Sequence, residues 1–338
     1  MRRFRLGAAL ALLSASAAHA DDLSASAAVG AGAQGTATYG ALELHLDQAW
    51  SAAHLELGLR GVWDDGVFRR SDWASIADAV TIVRDFAATD ELSGGGHLAI
   101  AAGGLAPSHV GRLVDGYRAT LDDRWRTGVR TSAVTEDTEA VLEVDDVLDP
   151  VVIAGAADYA VAAPWHAHLA VAVDPTAPAR ALATRIASSV EAGANYRIES
   201  DTARTELGAS LIAELGLGFT AVGYADSTIV RGDVRFTLRG DARGGSGTAG
   251  NMFGPLYRVE RVALWQRAHD GELEGGSLGA AAGVANPNGW LELGVRSRPG
   301  LGTLATINAG TAMAKRLQAA VWAAASPHDA VGASELRV

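Results

Sequence analysis

Alternation of apolar and polar residues is the main pattern in the chain. In residues 42–47 every second residue is leucine, and Glu43, His45 and Asp47 lie between the leucines. The same alternation returns in residues 54–60, where Glu56 and Arg60 are among the polar positions. Because successive side chains of a β-strand point to opposite faces, the two segments predict a β-hairpin with one apolar and one polar face.

The register of this hairpin follows from the position of its turn. We expect the turn to be centred between residues 50 and 51, so that leucines face leucines and histidines face carboxylates. The predicted pairs are Leu46 with Leu55, Leu44 with Leu57, Leu42 with Leu59, His45 with Glu56, and Asp47 with His54.

Further segments alternate in the same way. They span residues 125–134, 166–173, 184–198 and 231–239. In the last of these, Val234, Phe236 and Leu238 occupy one face of the predicted strand. The other face carries Arg231, Asp233, Arg235 and Arg239. A strand with that many charges on one face requires water on that side.

Strands with one wet face suit either a soluble sandwich or barrel, or a membrane barrel with its apolar side turned to lipid. Three features favour the membrane barrel. The segments approach about ten residues, which a tilted strand needs to cross a bilayer. Short turn signals such as residues 286–289 alternate with longer polar stretches such as 240–250. Tryptophans stand near segment ends, as interfacial anchors do, at Trp50, Trp63, Trp125, Trp165 and Trp290.

The first twenty residues have the features of a cleaved Sec-type signal peptide. A basic start is followed by an apolar run over residues 6–13 and by the small-x-small pattern Ala18-His19-Ala20. We therefore expect residues 21–338 to form a single domain. Its predicted fold is all-β, a transmembrane antiparallel up-and-down β-barrel of about 14 strands, within the range 12–16, since even numbers are usual.

The region around residues 64–122 is the least barrel-like. Ser71-Asp72 predicts the start of a short helix from Trp73 to Asp78, and Ser108 to Tyr117 predicts another helical turn. Such a region is either a longer loop packed outside on its neighbours or a plug-like segment folded into the lumen.

Composition narrows the classes of partner. The chain of 338 residues has 28 Lys and Arg against 39 Asp and Glu, and its basic residues form no stripe with interleaved aromatics. We therefore expect no nucleic-acid partner. The chain contains no cysteine, which excludes disulfides, a thiol nucleophile and zinc–thiolate sites.

Candidate chemical motifs have simpler explanations. His166 and His168 share a strand face and could chelate a metal if carboxylates approach, but a wet face holds histidines without metal. The acids at 136–137 and 145–149 lack the order of a calcium loop. The pattern Gly275-Gly276-Ser277-Leu278-Gly279 lacks the strand–turn–helix context of a nucleophile elbow. We expect no catalytic residue, no metal, no cofactor and no enzymatic activity.

Together, the signal peptide, the two-faced strands, the tryptophan pattern and the absence of cysteine resemble a Gram-negative outer-membrane β-barrel of the porin-like kind. The stretches 103–105, 111–117, 126–128 and 139–150 more loosely resemble uncharacterised outer-membrane proteins. The resemblance implies an outer-membrane location, contact with outer-membrane lipid and handling by the barrel-assembly machinery during biogenesis. Such barrels commonly end on an aromatic residue, whereas this sequence ends at Val338.

These observations leave three classes of function open. The first is a passive channel or uptake pore for small polar solutes, the second a closed structural or surface-interaction barrel without transport, and the third a membrane-embedded lipid hydrolase. In a channel, the polar strand positions would line the lumen. The predicted lumen-lining residues are Glu43, His45, Asp47, Glu56, Arg60, Arg126, Arg130, Arg231, Asp233, Arg235 and Arg239.

Overall fold

The computed structural model describes most of the chain. The described residues are 22–34, 37–64, 67–70, 83–92, 96–104, 108–117, 126–177, 187–247, 253–314, 317–327 and 330–337. The predicted signal peptide, the predicted helix from Trp73 to Asp78, and Trp125 lie outside these residues.

Antiparallel strands make up most of the described chain. They are β1 (Asp22–Gln34), β2 (Ala37–Ala49), β3 (Ala53–Asp64), β4 (Val67–Arg70), β5 (Val83–Leu92), β6 (Gly96–Gly103), β7 (Ser108–Val110), β8 (Val114–Tyr117), β9 (Gly128–Val134), β10 (Thr138–Val144), β11 (Ile153–Ala162), β12 (Trp165–Asp174), β13 (Ala187–Ser200), β14 (Ala203–Glu214), β15 (Gly218–Arg231), β16 (Val234–Gly245), β17 (Gly275–Asn286), β18 (Gly289–Arg298), β19 (Gly302–Ala314), β20 (Leu317–Ala325) and β21 (Ala330–Arg337). One described helix, α1 (Tyr257–His269), lies between β16 and β17. None of the helical segments in the described ranges has both the length and the apolar character needed to cross a membrane.

The sheet closes on itself. β1 pairs with β2 on one side and with β21 on the other. Within the 19-stranded sheet, β4 and β5 both pair with β3, at different ends of it, so they share one position in the ring. The described residues thus form a closed ring of eighteen strand positions. The predicted all-β antiparallel barrel is confirmed, and the predicted range of 12–16 strands is too low. The ring has more strands than predicted because many of its connections are very short, such as the two-residue turn at 232–233.

Apolar side chains point out of this ring. Leu44 on β2 and Leu238 on β16 are each 57% exposed. Glu43 and His45, the chain neighbours of Leu44, are buried. Since neighbouring residues of a strand face opposite sides, the acids and imidazoles lie inside and the leucines outside. This is the polarity of a transmembrane barrel and the reverse of that of a soluble one.

Aromatic side chains mark the ends of several strands on the outer surface. Trp63 lies near the end of β3, Trp165 begins β12, and Trp290 lies near the start of β18; all three are exposed. The ring of Trp165 packs edge-on against Tyr196, with 5.2 Å between the centroids. Amphipathic rings at this position suit the boundary between hydrocarbon and water.

The two ends of the ring differ in their connections. One end carries short turns, such as residues 50–52, 201–202 and 287–288, and is called the short-turn end below. At the opposite end β6 and β16 end and β9 and β17 begin, so the longer connecting segments, 104–127 and 246–274, leave and re-enter the sheet there; this end is called the long-loop end. Transmembrane barrels typically have this asymmetry.

The first hairpin has the predicted faces but a different register. Leu46 lies opposite Leu57, and Asp47 lies opposite Glu56, two residues from each predicted partner. The backbone N–H of Trp50 donates to the Ala53 carbonyl over 2.7 Å, so the turn is centred one residue later than predicted. Moving a turn centre by one residue moves every partner by two, which keeps each side chain on its face.

The strand predicted over residues 231–239 is wrong at its start. β15 ends at Arg231 and β16 begins at Val234, and these two residues pair across the turn. Gly232 has a φ of +60°, which glycine adopts without steric cost. Gly232 and Asp233 thus form a two-residue hairpin turn, and the alternation read through them belongs to two strands.

Candidate functional site

Residues 108–117 form a hairpin inside the ring, called the lumen hairpin below. β7 and β8 pair with each other, so the predicted helical turn over these residues is wrong. Gly111, in the turn, has a φ of +56°, outside the range of a right-handed helix. The hairpin bonds to inward side chains of β13, β15, β16 and β18. Contact with the inner faces of four separate strands places the hairpin within the lumen.

The tip of the lumen hairpin rests directly on the barrel wall. A Cβ added to Gly111 would lie 2.6 Å from Glu191 Oε2, 2.8 Å from Ala170 Cβ and 3.0 Å from His168 Nε2. The next backbone N–H, of Arg112, donates to Glu191 Oε2 over 2.7 Å. Only glycine combines the positive φ with this close approach.

Arg112 fixes the tip to β15. Its guanidinium lies 3.7 Å from the centroid of the Tyr224 ring. Nη2 of the same group donates to Asp226 Oδ2 over 2.5 Å. The ion pair and the stacking use the charge and the plane of a guanidinium together.

Asp115 fixes the other arm of the hairpin. Its Oδ2 accepts a hydrogen bond from Arg296 Nη2 over 2.6 Å, and its Oδ1 lies 3.1 Å from His109 Nδ1. Burial acts to raise the pKa of this carboxyl, but the bond from His109 and the charges of Arg296 and Arg243 hold the pKa well below its usual value. The carboxylate therefore stays ionised to a lower pH than an ordinary carboxyl.

A run of charges on β16 and β18 supports both anchors. Arg243 is buried, donates to the Arg112 carbonyl over 3.0 Å and donates to Asp241 over 2.6 Å. Arg296 also donates to Asp241, over 2.7 Å. Because each buried guanidinium has acceptors, the cost of removing these charges from water is offset.

Aromatic residues fill part of the lumen at the long-loop end, and we call this group the dry cluster. It includes Tyr117 of the hairpin, Phe253, and Tyr257 and Trp265 of α1, all buried. The Tyr257 ring lies 4.9 Å from that of Phe253 and 6.3 Å from that of Tyr117. The dry cluster therefore joins α1 to the lumen hairpin.

Polar contacts fix α1 above the dry cluster. Tyr257 Oη donates to Asp174 Oδ2 over 2.5 Å, and Trp265 Nε1 donates to Tyr257 Oη over 2.8 Å. Burial and the nearby charge of Asp174 raise the pKa of Tyr257 well above its usual value, so the phenol stays a donor. Arg298 of β18 donates to Glu260 over 2.7 Å, so the helix is bound to β18 as well as to Asp174 of β12.

A cavity of about 500 Å³ lies beside the lumen hairpin, and we call it the lumen cavity. Its acids are Asp115, Glu139, Asp158, Glu206 and Asp226, and its arginines are Arg112, Arg197, Arg204 and Arg239. Arg197 Nη2 is 3.3 Å from Asp158 and 3.5 Å from Glu206. The walls therefore present both signs of charge to water.

The predicted residues on β2 and β3 lie on the inner face in ion pairs. Glu43 and Arg60 are 4.0 Å apart, and Glu43 also accepts a bond from Arg84 Nε. His45 Nδ1 lies 2.5 Å from Glu56 Oε1. Asp47 pairs with His54 rather than facing it in register.

The remaining predicted lumen-lining residues divide by position. Arg130 is 2.6 Å from Glu143 on the adjacent strand, and Arg126 precedes β9, 3.9 Å from Asp146. Arg239 lines the lumen cavity and contacts His109 at 3.2 Å. The other three lie at the short-turn end and are exposed: Arg231, Asp233 and Arg235.

The other motifs have structural partners. His166 lies 3.0 Å from Asp158, and His168 lies 3.4 Å from Glu191, so carboxylates of both adjacent strands face these imidazoles. Asp145 accepts the backbone N–H groups of Val151 and Val152, over 2.9 Å each, which closes its loop.

Ser277 stands within β17 rather than at a strand–turn–helix elbow. Its hydroxyl donates to the Ser297 carbonyl over 2.7 Å on the neighbouring strand. The G-x-S-x-G pattern therefore belongs to a strand pairing, as its sequence context indicates.

Sequence reasoning missed most of the residues that hold the hairpin. No sequence pattern identifies Arg112 and Asp115 as anchors, although the stretch 111–117 that contains them resembles uncharacterised outer-membrane proteins. Asp241 and Arg243 continue the alternation of Arg235 and Arg239 and could have been found by extending that pattern.

No protein-family model matches the sequence, and no curated protein matches it. Among solved structures, OccK5 (OpdH) of Pseudomonas aeruginosa is 9% identical, with 94% of this chain and 97% of that chain covered and a TM-score of 0.45. Wzi, an outer-membrane protein involved in group 1 capsule assembly in Escherichia coli, is 10% identical, with 98% and 87% covered and a TM-score of 0.46. A mutant porin of Rh. blastica is 12% identical, with 94% and 99% covered and a TM-score of 0.36.

Proposed function

We propose that this chain resides in the outer membrane and acts as a passive channel or uptake pore for small polar solutes, narrowed by the lumen hairpin. The observation that carries the proposal is a closed ring with leucines outside and ion pairs inside, into which the lumen hairpin folds. In this arrangement water and ions belong on the inside and lipid on the outside.

The outward side chains support residence in a bilayer. A soluble protein rarely exposes a continuous apolar surface, whereas this ring exposes large apolar residues on strand after strand. They include Leu44, Leu169, Leu211, Leu238 and Leu293. By analogy with outer-membrane barrels, the long-loop end faces the cell exterior and the short-turn end faces the periplasm.

The charges inside the ring support selection of polar solutes. Arginines of the lumen cavity stand opposite acids of the same cavity, for example Arg197 and Glu206 at 3.5 Å. Opposed charges create a field across the passage that favours small polar or zwitterionic solutes over apolar ones. We assign no enzymatic role and no cofactor to the chain.

The test is single-channel recording in planar bilayers. The wild-type protein is compared with a variant whose residues 109–116 are replaced by a Gly-Ser linker, and with a control whose short turn at 215–217 is replaced in the same way. We expect conductance steps from the wild type, larger steps from the hairpin variant and unchanged steps from the control. Silence from both wild type and hairpin variant would overturn the proposal.

A second candidate, a closed barrel without transport, is favoured by the dry cluster. Tyr117, Phe253, Tyr257 and Trp265 fill part of the lumen with side chains that water does not cross. The same recordings separate the two candidates. A silent wild type with a conducting hairpin variant would support the closed barrel and reject the open channel.

A further inference from the structure

Three potential metal ligands meet on the inner wall near the short-turn end. Asp47 of β2 lies directly opposite Glu56 of β3, and His54 lies two residues before Glu56 on the same face. One donor atom from each of Asp47, His54 and Glu56 lies within 4.8 Å of the other two. Zinc bonds to oxygen and nitrogen are about 2.0–2.2 Å, so these donors need to close by roughly an ångström around an ion.

A fourth side chain, the carboxylate of Asp85, lies beside the His54 imidazole, where it can act as the outer partner of a metal-binding histidine. His54 Nε2 lies 2.9 Å from Asp47 Oδ2, and His54 Nδ1 lies 3.5 Å from Asp85 Oδ2 on the adjacent strand. With Nε2 bound to a metal, Nδ1 carries the proton and donates to Asp85. Metal-binding histidines usually have such an outer carboxylate partner.

His45 provides an independent observation at the same place. It is 8% exposed, and its Nε2 has no hydrogen-bond partner among the described residues. Its Nδ1 is paired with Glu56 Oε1 at 2.5 Å, so the ring contacts one member of the cluster. A buried ring nitrogen without a hydrogen bond indicates an absent partner.

The strand register adds a reason for a cation. Asp47, Glu56 and Asp85 are successive Cα partners across β2, β3 and β5, which places three carboxylates in one row. Like charges directly opposite on adjacent strands repel each other. The pairing of β3 with β5 is also irregular at Glu56 and Leu57. A bound cation would neutralise the negative charge of these carboxylates and join the three strands at that irregularity.

We propose that Asp47, His54 and Glu56 form a site for a divalent transition metal, with Asp85 as the outer partner of His54 and His45 beside it. Two carboxylates and one imidazole form a donor set that suits zinc. The site is separate from the lumen hairpin and does not depend on the proposed transport.

The test uses the full mature barrel, without a histidine tag, refolded in detergent and treated with EDTA. Calorimetric titration with ZnCl₂ should show one saturable site per chain. H54Q should lower the affinity at least tenfold, and D85N should lower it about 10–100-fold, as loss of an outer-sphere partner does. The matched controls are H97Q, an exposed histidine of β6, and D90N, an exposed aspartate of β5; both should bind as the wild type does.

Two readouts keep the result independent of folding defects. Heat-modifiable gel migration identifies correctly closed variants, and Co²⁺ added to the wild type should give intense visible bands of low coordination number instead of the weak bands of the aqueous ion. Absence of saturable zinc binding, or equal affinity of H54Q and H97Q, would overturn the site. Neither result would affect the conductance test of the channel.

Discussion

Gly111, at the tip of the lumen hairpin, lies so close to the Glu191 carboxylate that a Cβ there would be 2.6 Å from Oε2. The two residues are on different elements, and the neighbouring backbone N–H donates to the same carboxylate. The contact sets how far the hairpin reaches across the lumen. The width of the passage beside the hairpin therefore depends on the glycine at position 111.

Replacing Gly111 with alanine should displace the hairpin and increase single-channel conductance. Alanine at this position would have to adopt a positive φ, and its Cβ would clash with β13. We expect this to destabilise the docked hairpin by about 1–3 kcal/mol. The matched control is Gly216→Ala, which has a φ of +80° and nothing within 4 Å of the added Cβ. If G111A and G216A conduct alike, the hairpin tip does not limit the passage.

Replacing Arg112 with glutamine should loosen the hairpin and shift selectivity toward cations. The change removes a charge-assisted bond worth about 1.5–3 kcal/mol and leaves Asp226 without its cationic partner. Reversal potentials in a KCl gradient measure the selectivity. Arg235→Gln, at an exposed residue of the short-turn end, is the control and should leave selectivity nearly unchanged.

Acid should release the lumen hairpin only well below the pKa of an ordinary carboxyl. The docked hairpin holds the pKa of Asp115 below the value of the free side chain, because of its bonds with His109 and Arg296. A depressed pKa stabilises docking above the free pKa, and that stabilisation is lost as pH falls through the docked pKa. Conductance recorded from pH 7 downward should therefore stay constant past pH 4 (about the free pKa) and rise at lower pH.

Asp115→Asn tests the assignment of this transition. The variant leaves Arg296 and His109 facing a neutral amide, so its hairpin should be looser already at pH 7, and its acid step should be absent. An acid step of unchanged midpoint in D115N would assign the transition to another group.

The outer surface could be predicted from sequence because strand alternation is a local property. The spacing of Leu42, Leu44 and Leu46 identifies a lipid-side face whatever the partner strand is. The register of the same hairpin could not be fixed, because turns centred at 50–51 and at 51–52 both preserve the faces, and only the bond from Trp50 to Ala53 distinguishes them.

The interior could not be predicted, because it is held by contacts between distant residues. Arg112 and Asp226 are 114 residues apart in sequence, and Asp115 and Arg296 are 181 apart. No periodicity relates such pairs. The local indication that the chain reverses direction in this hairpin is Gly111. Because glycine is common throughout this chain, Gly111 does not identify a turn, and the sequence predicts a helical turn instead.

Arginine should be tolerated on the inner face and not on the outer face. Leu44→Arg places a charge near the middle of β2 on the outside and should lower the free energy of unfolding from liposomes by about 2–4 kcal/mol. Thr228→Arg adds the same side chain to the wall of the lumen cavity and should cost less. Urea titration of both variants in the same lipid gives the comparison.

The most direct measurement uses adjacent residues of β16, Thr237 and Leu238. The chain has no cysteine, so Thr237→Cys and Leu238→Cys can each carry a single fluorescent label. Leu238 is exposed on the outside of the ring, and Thr237 faces inward. We predict that brominated lipid quenches the label at 238 and that aqueous iodide quenches the label at 237. Equal quenching by iodide at both sites, with no effect of brominated lipid at 238, would contradict a barrel that faces lipid with its apolar side and water with its charges.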